Sequence, residues 1–320
     1  MISNINDKRI VYIDLVKGFS ILLLLLSHSI PKEDILKTWI FSFHMPIFFY
    51  ICGIITRIKL IKHPINIENH LKSRMRNLII PYFVFGFLLI GFYTFLDYYS
   101  TESISFIGHR IYSLICLHGI DSLWFIPIYF FSELVFSLII TRKRIYTVIL
   151  LCVCLILIYF PINLIPQIKQ ISIGLIFILA GYYHQNYYNY FPKSSFLYFI
   201  LILILYYSSI LNGFSSMQNI NHAVLYFING IGASFAIISL LQHNENKFKT
   251  TTLRHLLFFG KNTLIVLCTN NIVIEIVRLI DWKLTNSALL NNGYIGHLIF
   301  FFIITVIEIP TIKLLEGKFK

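Results

Sequence analysis

The chain has 320 residues, of which 57% are hydrophobic and only 12% charged, with a mean hydropathy of +0.76. Soluble domains carry about a quarter charged residues, so this composition excludes a soluble enzyme and points to an all-α polytopic integral membrane protein. The net charge of +12 would suit nucleic acid, but the Lys and Arg residues fall between apolar runs and form no continuous basic stripe with stacking aromatics, so no nucleic-acid partner is expected.

Windows of about twenty residues give ten spans: 10–30, 38–57, 77–97, 121–141, 145–161, 168–185, 195–211, 221–241, 256–279 and 294–312. The sixth and seventh are the least apolar in pattern. The connections are short, no repeat stands out, and residues 1–320 read as a single membrane domain. The opening MISNINDKR precedes a long apolar run without a small-residue cleavage site, so the first span reads as a retained helix. Five cysteines, mostly within apolar runs and with no CxxC pair, suggest neither a disulfide framework nor a metal site. With the N-terminus placed in the cytoplasm, 18 Lys and Arg fall on the cytoplasmic side against 5 on the other. Both termini are therefore expected inside.

The first span, VYIDLVKGFSILLLLLSHS, carries Asp14, Lys17 and His28. An ionisable residue in such a segment costs roughly 2.5 kcal/mol or more at the bilayer centre and is by default a functional-site hypothesis. Asp14 and Lys17 are three apart and can pair on one face. His28 lies eleven residues beyond Lys17, roughly 16 Å along the axis. In the second span His44 precedes Pro46 by two, and the proline loosens the helix there and frees a backbone carbonyl.

The segment 57–76 is the most basic, ending in Arg74 and Arg76, whose guanidinium forks suit phosphate oxygens. Residues 98–120, with Glu102, His109, Arg110 and His118, read as the longest outer loop. It leads through Asp121 to Trp124 at the start of the fourth span. Spans five to eight read as scaffold, and Gly230, Gly232, Ala233 and Ser234 give a face for close helix contact. In the ninth span Lys261 reads as a snorkelling cation, while Glu275 and Arg278, three apart, read as an ion pair or a polar outer wall.

Several of these stretches resemble a known family. Asp14-Leu15-Val16-Lys17-Gly18 followed by Leu26-Ser27-His28-Ser29 resembles the opening helix of the membrane-bound acyltransferase-3 family, especially its fucose 4-O-acetylase-like branch. Ser42-Phe43-His44-Met45-Pro46-Ile47-Phe48-Phe49-Tyr50-Ile51-Cys52-Gly53 is similar to that family's "SFHMPLFFFISG". Leu123-Trp124-Phe125-Ile126-Pro127, with Glu133 beyond, resembles the branch's "LWFLP", and Gly260-Lys261-Asn262-Thr263-Leu264 resembles "GKNSL". Two departures limit the transfer of roles. Tyr129 stands where the broader family carries a Glu, and Asn270 where relatives often carry a His.

The resemblance implies an integral-membrane O-acyltransferase that moves acetyl from acetyl-CoA to a hydroxyl of a surface or lipid-linked carbohydrate, within a bacterial inner membrane. Acyl transfer to an alcohol needs a base and donors for the carbonyl oxyanion, and His has its unperturbed pKa near neutrality. The expected roles are His28 as catalytic base or covalent acyl relay, His44 orienting it or the acceptor, and Asp14 and Lys17 stabilising the core of the site. Arg74 and Arg76 would meet the CoA phosphates, and Trp124 the acceptor. No metal is expected, and the partners would be the carbohydrate and membrane lipids. Two other classes remain open on sequence: a transporter or flippase for lipid-linked sugars, and a sugar polymerase, although the latter usually shows a longer outer loop.

Overall fold

The computed structural model describes residues 10–62, 66–98, 105–160, 167–245, 253–285 and 293–317, and the described residues are helical with no strand. Of the residues singled out above, Glu102 lies outside them, as do several of the terminal and loop Lys and Arg counted in the charge bias. Among the described residues, eight helical stretches are long and apolar enough to cross a membrane, and two shorter apolar helices, Arg144–Tyr159 and Gln167–Tyr182, complete the ten regions expected from hydropathy.

The elements follow in order. Helix α1 runs Val11–Ser29; α2, Ile35–Phe43, and α3, Pro46–Lys62, together form the second span. Helix α4, Ile67–Arg74, passes through a π-helical turn, Met75–Ile79, into α5, Ile80–Tyr98. Next come α6, Ser105–Ile115, a 3-10 turn, Asp121–Trp124, and α7, Phe125–Ile140. Helices α8, Arg144–Tyr159, α9, Gln167–Tyr182, and the short α10, His184–Tyr190, precede α11, Ser195–Asn212, and α12, Ala223–His243. The chain closes with α13, Arg254–Lys261, α14, Thr263–Thr285, and α15, Gly293–Leu315.

Prolines account for two of the irregularities. Pro46 has no N–H to give back to the preceding turn, so α2 ends at Phe43 and α3 restarts at Pro46. Pro81 likewise leaves the carbonyl one turn before it without a donor, and the helix widens there: the Ile80 N–H bonds back to Met75 across five residues. The hydropathy pattern sees neither break. Two segments expected as loops are partly helical, since Arg74 and Arg76 lie on a continuous α4–π–α5 path and α6 occupies half of 98–120. The ninth span is interrupted at Asn262, between α13 and α14.

Two helix crossings fix the arrangement, and both use glycine on each partner. A methyl at Gly53 would collide with the Ile178 carbonyl, and one at Gly181 with that of Tyr50, so α3 and α9 meet backbone to backbone. Gly18 and Gly260 do the same for α1 and α13, facing the carbonyls of Leu256 and Asp14. Between apolar helices in lipid there is little hydrophobic drive to associate, so close packing of this kind supplies the contact. The small-residue face expected on α12 also packs: Gly230 lies against the Phe177 ring and Gly232 against Leu205. Large apolar side chains on α8 and α11, such as Ile149, Ile156, Ile204 and Leu211, remain exposed, as surfaces meant for lipid tails are.

Candidate functional site

The last turn of α1 brings His28 to one end of the bundle, where it lines a cavity of about 490 Å³. His44 and Met45, in the break between α2 and α3, line the same cavity. Trp124 closes another side, so three residues expected at the site meet. Asp14, Lys17, Arg74 and Arg76 do not line it. Asp14 and Lys17 lie near the other end of α1, beside the Gly18–Gly260 crossing, and Asp14 is buried there.

His44 is held in one orientation by the break in its span. Its Nδ1 lies 2.8 Å from the Ile40 carbonyl oxygen, which can only accept, so in the neutral ring Nδ1 carries the proton and donates. Nε2 then keeps its lone pair. The ring packs edge-on against Phe41, with centroids 4.9 Å apart, and is 4% exposed. This is an imidazole prepared to accept a hydrogen bond at one defined atom.

A strained loop forms the wall opposite. Leu117, Gly119 and Asp121 have φ of 60°, 76° and 47°, so three of five consecutive positions sit in the left-handed region. For the two non-glycine residues that costs on the order of 1–3 kcal/mol each, and such strain clusters at binding sites. The loop is held by its neighbours: the His118 and Gly119 N–H groups both donate to the Ser113 carbonyl, at 2.9 and 3.3 Å. A side chain at Gly119 would strike the Trp124 backbone. The Tyr93 hydroxyl donates to the Asp121 carboxylate, and the Arg110 guanidinium lies 4.7 Å from the Tyr93 ring centre.

Helix α14 supplies the remaining polar wall. Asn271 donates to the Ser122 hydroxyl at 3.1 Å, and that hydroxyl lies within donating distance of the Leu267 carbonyl, 2.8 Å, and of Asn270 Oδ1, 3.0 Å. One turn on, Arg278 donates to Glu275 at 2.8 Å, and both face the cavity, the polar wall expected from their spacing. Asn270 is fully buried and does not line the cavity, whereas its neighbour Asn271 does. Sequence reasoning passed over Tyr93, Ser122, Asn271 and the 216–218 stretch. For Asp121 the signal was a carboxylate abutting a Trp at a span start; for Ser216, Met217 and Gln218 there was none.

A second polar cluster lies toward the opposite end of the bundle. Arg74 Nη2 is 2.6 Å from Glu133 Oε1, and His70 Nε2 is 3.5 Å from the same oxygen. Glu133 is 2% exposed and its Oε2 has no hydrogen-bond partner among the described residues, while the Arg74 side chain is 25% exposed. Arg76 points away, exposed on the π-helical turn. Their spacing sets this split: residues two apart project from different faces of a helix, so Arg76 is off the face by which Arg74 reaches α7. Among the described residues no group of His, Cys, Asp and Glu is arranged to hold a metal ion.

A family model described as an acyltransferase domain, that of the acyltransferase-3 family, matches residues 10–308. No curated protein and no solved structure gives a significant match.

Proposed function

The chain belongs to the acyltransferase-3 family, and from that membership we propose that it is a membrane O-acetyltransferase that moves acetyl from acetyl-CoA to a hydroxyl of a surface or lipid-linked carbohydrate. The observation that carries this reading is the shared cavity of His28 and His44, with His44 fixed as an Nε2 acceptor by its Nδ1 bond to Ile40. His28 takes the proton of the acceptor hydroxyl as its oxygen attacks the thioester carbonyl. The carbon–sulfur bond then breaks, and the proton passes to the CoA sulfur. His44 orients the base or the acceptor through Nε2. The wall chemistry suits a neutral sugar, because Trp124 and Tyr93 offer ring faces while Asn271, Asp121, Glu275 and Arg278 offer donors and acceptors of both signs.

In this reading the cavity opens on the outer face of a bacterial inner membrane, with both termini cytoplasmic. Arg74 and Arg76 sit toward the cytoplasmic mouth. Glu133 occupies only part of the five-donor Arg74 fork, which leaves donors for a CoA phosphate. Asp14 and Lys17 fix the inner end of α1.

The test is transfer of labelled acetyl-CoA into envelope glycans by membranes from the native cells. His28→Ala should lower kcat by roughly a hundredfold to ten-thousandfold while the protein still accumulates. Membranes containing the wild-type protein that transfer no more label than membranes lacking it would overturn the reading. Near-full activity in His28→Ala would remove that residue from the mechanism.

A further inference from the structure

Helix α7 starts beside the histidine cavity and runs 16 residues, roughly 24 Å, to the opposite end of the bundle. A tight turn there, closed by the Arg142 N–H on the Ile139 carbonyl at 2.9 Å, starts α8 at Arg144. Helix α9 returns to the same end, and α8, α9 and α10 leave between them a second cavity of about 440 Å³.

One end of this cavity is polar and basic. Arg144 lines it, and its guanidinium has no ion-pair or hydrogen-bond partner among the described residues. Thr147, a turn further along α8, also lines it. That residue is 8% exposed, and its hydroxyl makes no hydrogen bond among the described residues, an arrangement that is costly unless something else supplies the partner. From α10, Asn186 accepts through Oδ1 from Arg57 Nη2 at 3.1 Å, so its amide N–H donors stay available to the cavity. Helix α8 begins without a side-chain cap, and its free first-turn N–H groups favour an anion at the same place. No acidic side chain lines the cavity, and Arg142, Lys143 and Arg144 are all exposed. This donor set suits the oxygens of a phosphate ester.

The other end is apolar and faces lipid. Val148 and Leu151 continue the Arg144–Thr147 face of α8 at helical spacing, with Leu179 opposite on α9. Val148 is 51% exposed, and Leu155, one turn beyond Leu151 on that face, is 41% exposed. Tyr187 and Tyr190 stand exposed at the polar end, where aromatic residues mark a membrane interface. From the end of the bundle inward, the groove therefore runs from cation to hydroxyl to hydrocarbon, the order of groups in a phospholipid.

We propose that this cavity binds an anionic phospholipid of the adjoining leaflet, with its phosphate on Arg144, Thr147 and Asn186 and one acyl chain along Val148, Leu151 and Leu155. A zwitterionic lipid would bring its ammonium group against three exposed cations with no carboxylate to receive it. A soluble phosphate ester would leave the apolar half unused. The bound lipid bridges α8 to the α9–α10 turn and so braces a helix that, at 16 residues, is shorter than the usual span of about twenty. The site stands whether or not the acyl-transfer reading holds.

The experiment follows thermal unfolding of the purified full chain in detergent with added phosphatidylglycerol, phosphatidylcholine, inorganic phosphate or CoA. The proteins are wild type, Arg144→Gln, Thr147→Val, and Lys313→Gln as an exposed cation outside the cavity. Phosphatidylglycerol should stabilise the wild type at about a tenth of the phosphatidylcholine concentration that gives the same shift. Loss of one charge-assisted hydrogen bond should make Arg144→Gln need about tenfold more phosphatidylglycerol, and loss of a neutral one should make Thr147→Val need about threefold more. Lys313→Gln should respond as the wild type does. Because Arg144 is exposed, its variant is expected to fold. Equal action of the two lipids on the wild type, or an unchanged phosphatidylglycerol response in Arg144→Gln, would overturn the proposal. Phosphate or CoA that stabilised the wild type but not Arg144→Gln would assign the cavity to a soluble phosphate ester and overturn it equally.

Discussion

Removing Arg74 tests whether its guanidinium serves the fold, the donor, or both. Its Nη2 lies 2.6 Å from Glu133 Oε1, and Glu133 is 2% exposed. With charge centres about 4 Å apart and an effective dielectric of about 20, the attraction is about 4 kcal/mol. Desolvation offsets part of that in the intact pair, but Arg74→Ala leaves the buried carboxylate with only the His70 ring beside it, and breaking a buried pair costs about 3–5 kcal/mol. In Arg74→Met/Glu133→Gln both charges are gone and the volumes are nearly kept. Such replacements are often neutral. Thermal unfolding in detergent should therefore show a large loss of stability for Arg74→Ala and near-complete recovery in the double variant. KM for acetyl-CoA should rise in both, because neither has a guanidinium for the phosphate. If the double variant also recovered the donor KM, Arg74 would act only by neutralising Glu133. If Arg74→Ala unfolded like the wild type, the buried pair would not be holding α4 to α7.

Gly53→Ala should reduce accumulation sharply, since the new methyl meets the Ile178 carbonyl and backbone cannot swing aside; overpacking of this kind costs about 1–3 kcal/mol or more. Gly91→Ala, with no atom within 4 Å of the added methyl, should accumulate as the wild type does, and equal yields for the two would refute the crossing argument. A tag placed after Cys116 should be reached by impermeant reagents from outside and one at the C-terminus only from inside. A C-terminus labelled from outside would show that one of the ten apolar regions does not cross.

The amino-acid sequence determined the class of protein and most of the spans. Burial of a backbone in lipid requires long apolar helical runs, so hydropathy finds them even where, as in α8 and α9, the helix is only 16 residues long. It also flagged His28 and His44, because ionisable groups in such runs are costly enough to stand out. Tertiary structure alone decided which polar groups meet. Arg74 and Arg76, two residues apart, project from different faces of their helix, but only the packing of α4 on α7 puts Arg74 against Glu133, fifty-nine positions away, and leaves Arg76 exposed. Asp121, Asn271, Glu275 and Arg278 join the histidines because glycine crossings and the breaks at His44 and Asn262 bring α1, α2, the strained 117–121 loop and α14 to one end of the bundle. Hydropathy records how deep a residue prefers to lie. Which face of a neighbouring helix it meets depends on crossings and helix breaks, and those are properties of contacts between distant segments.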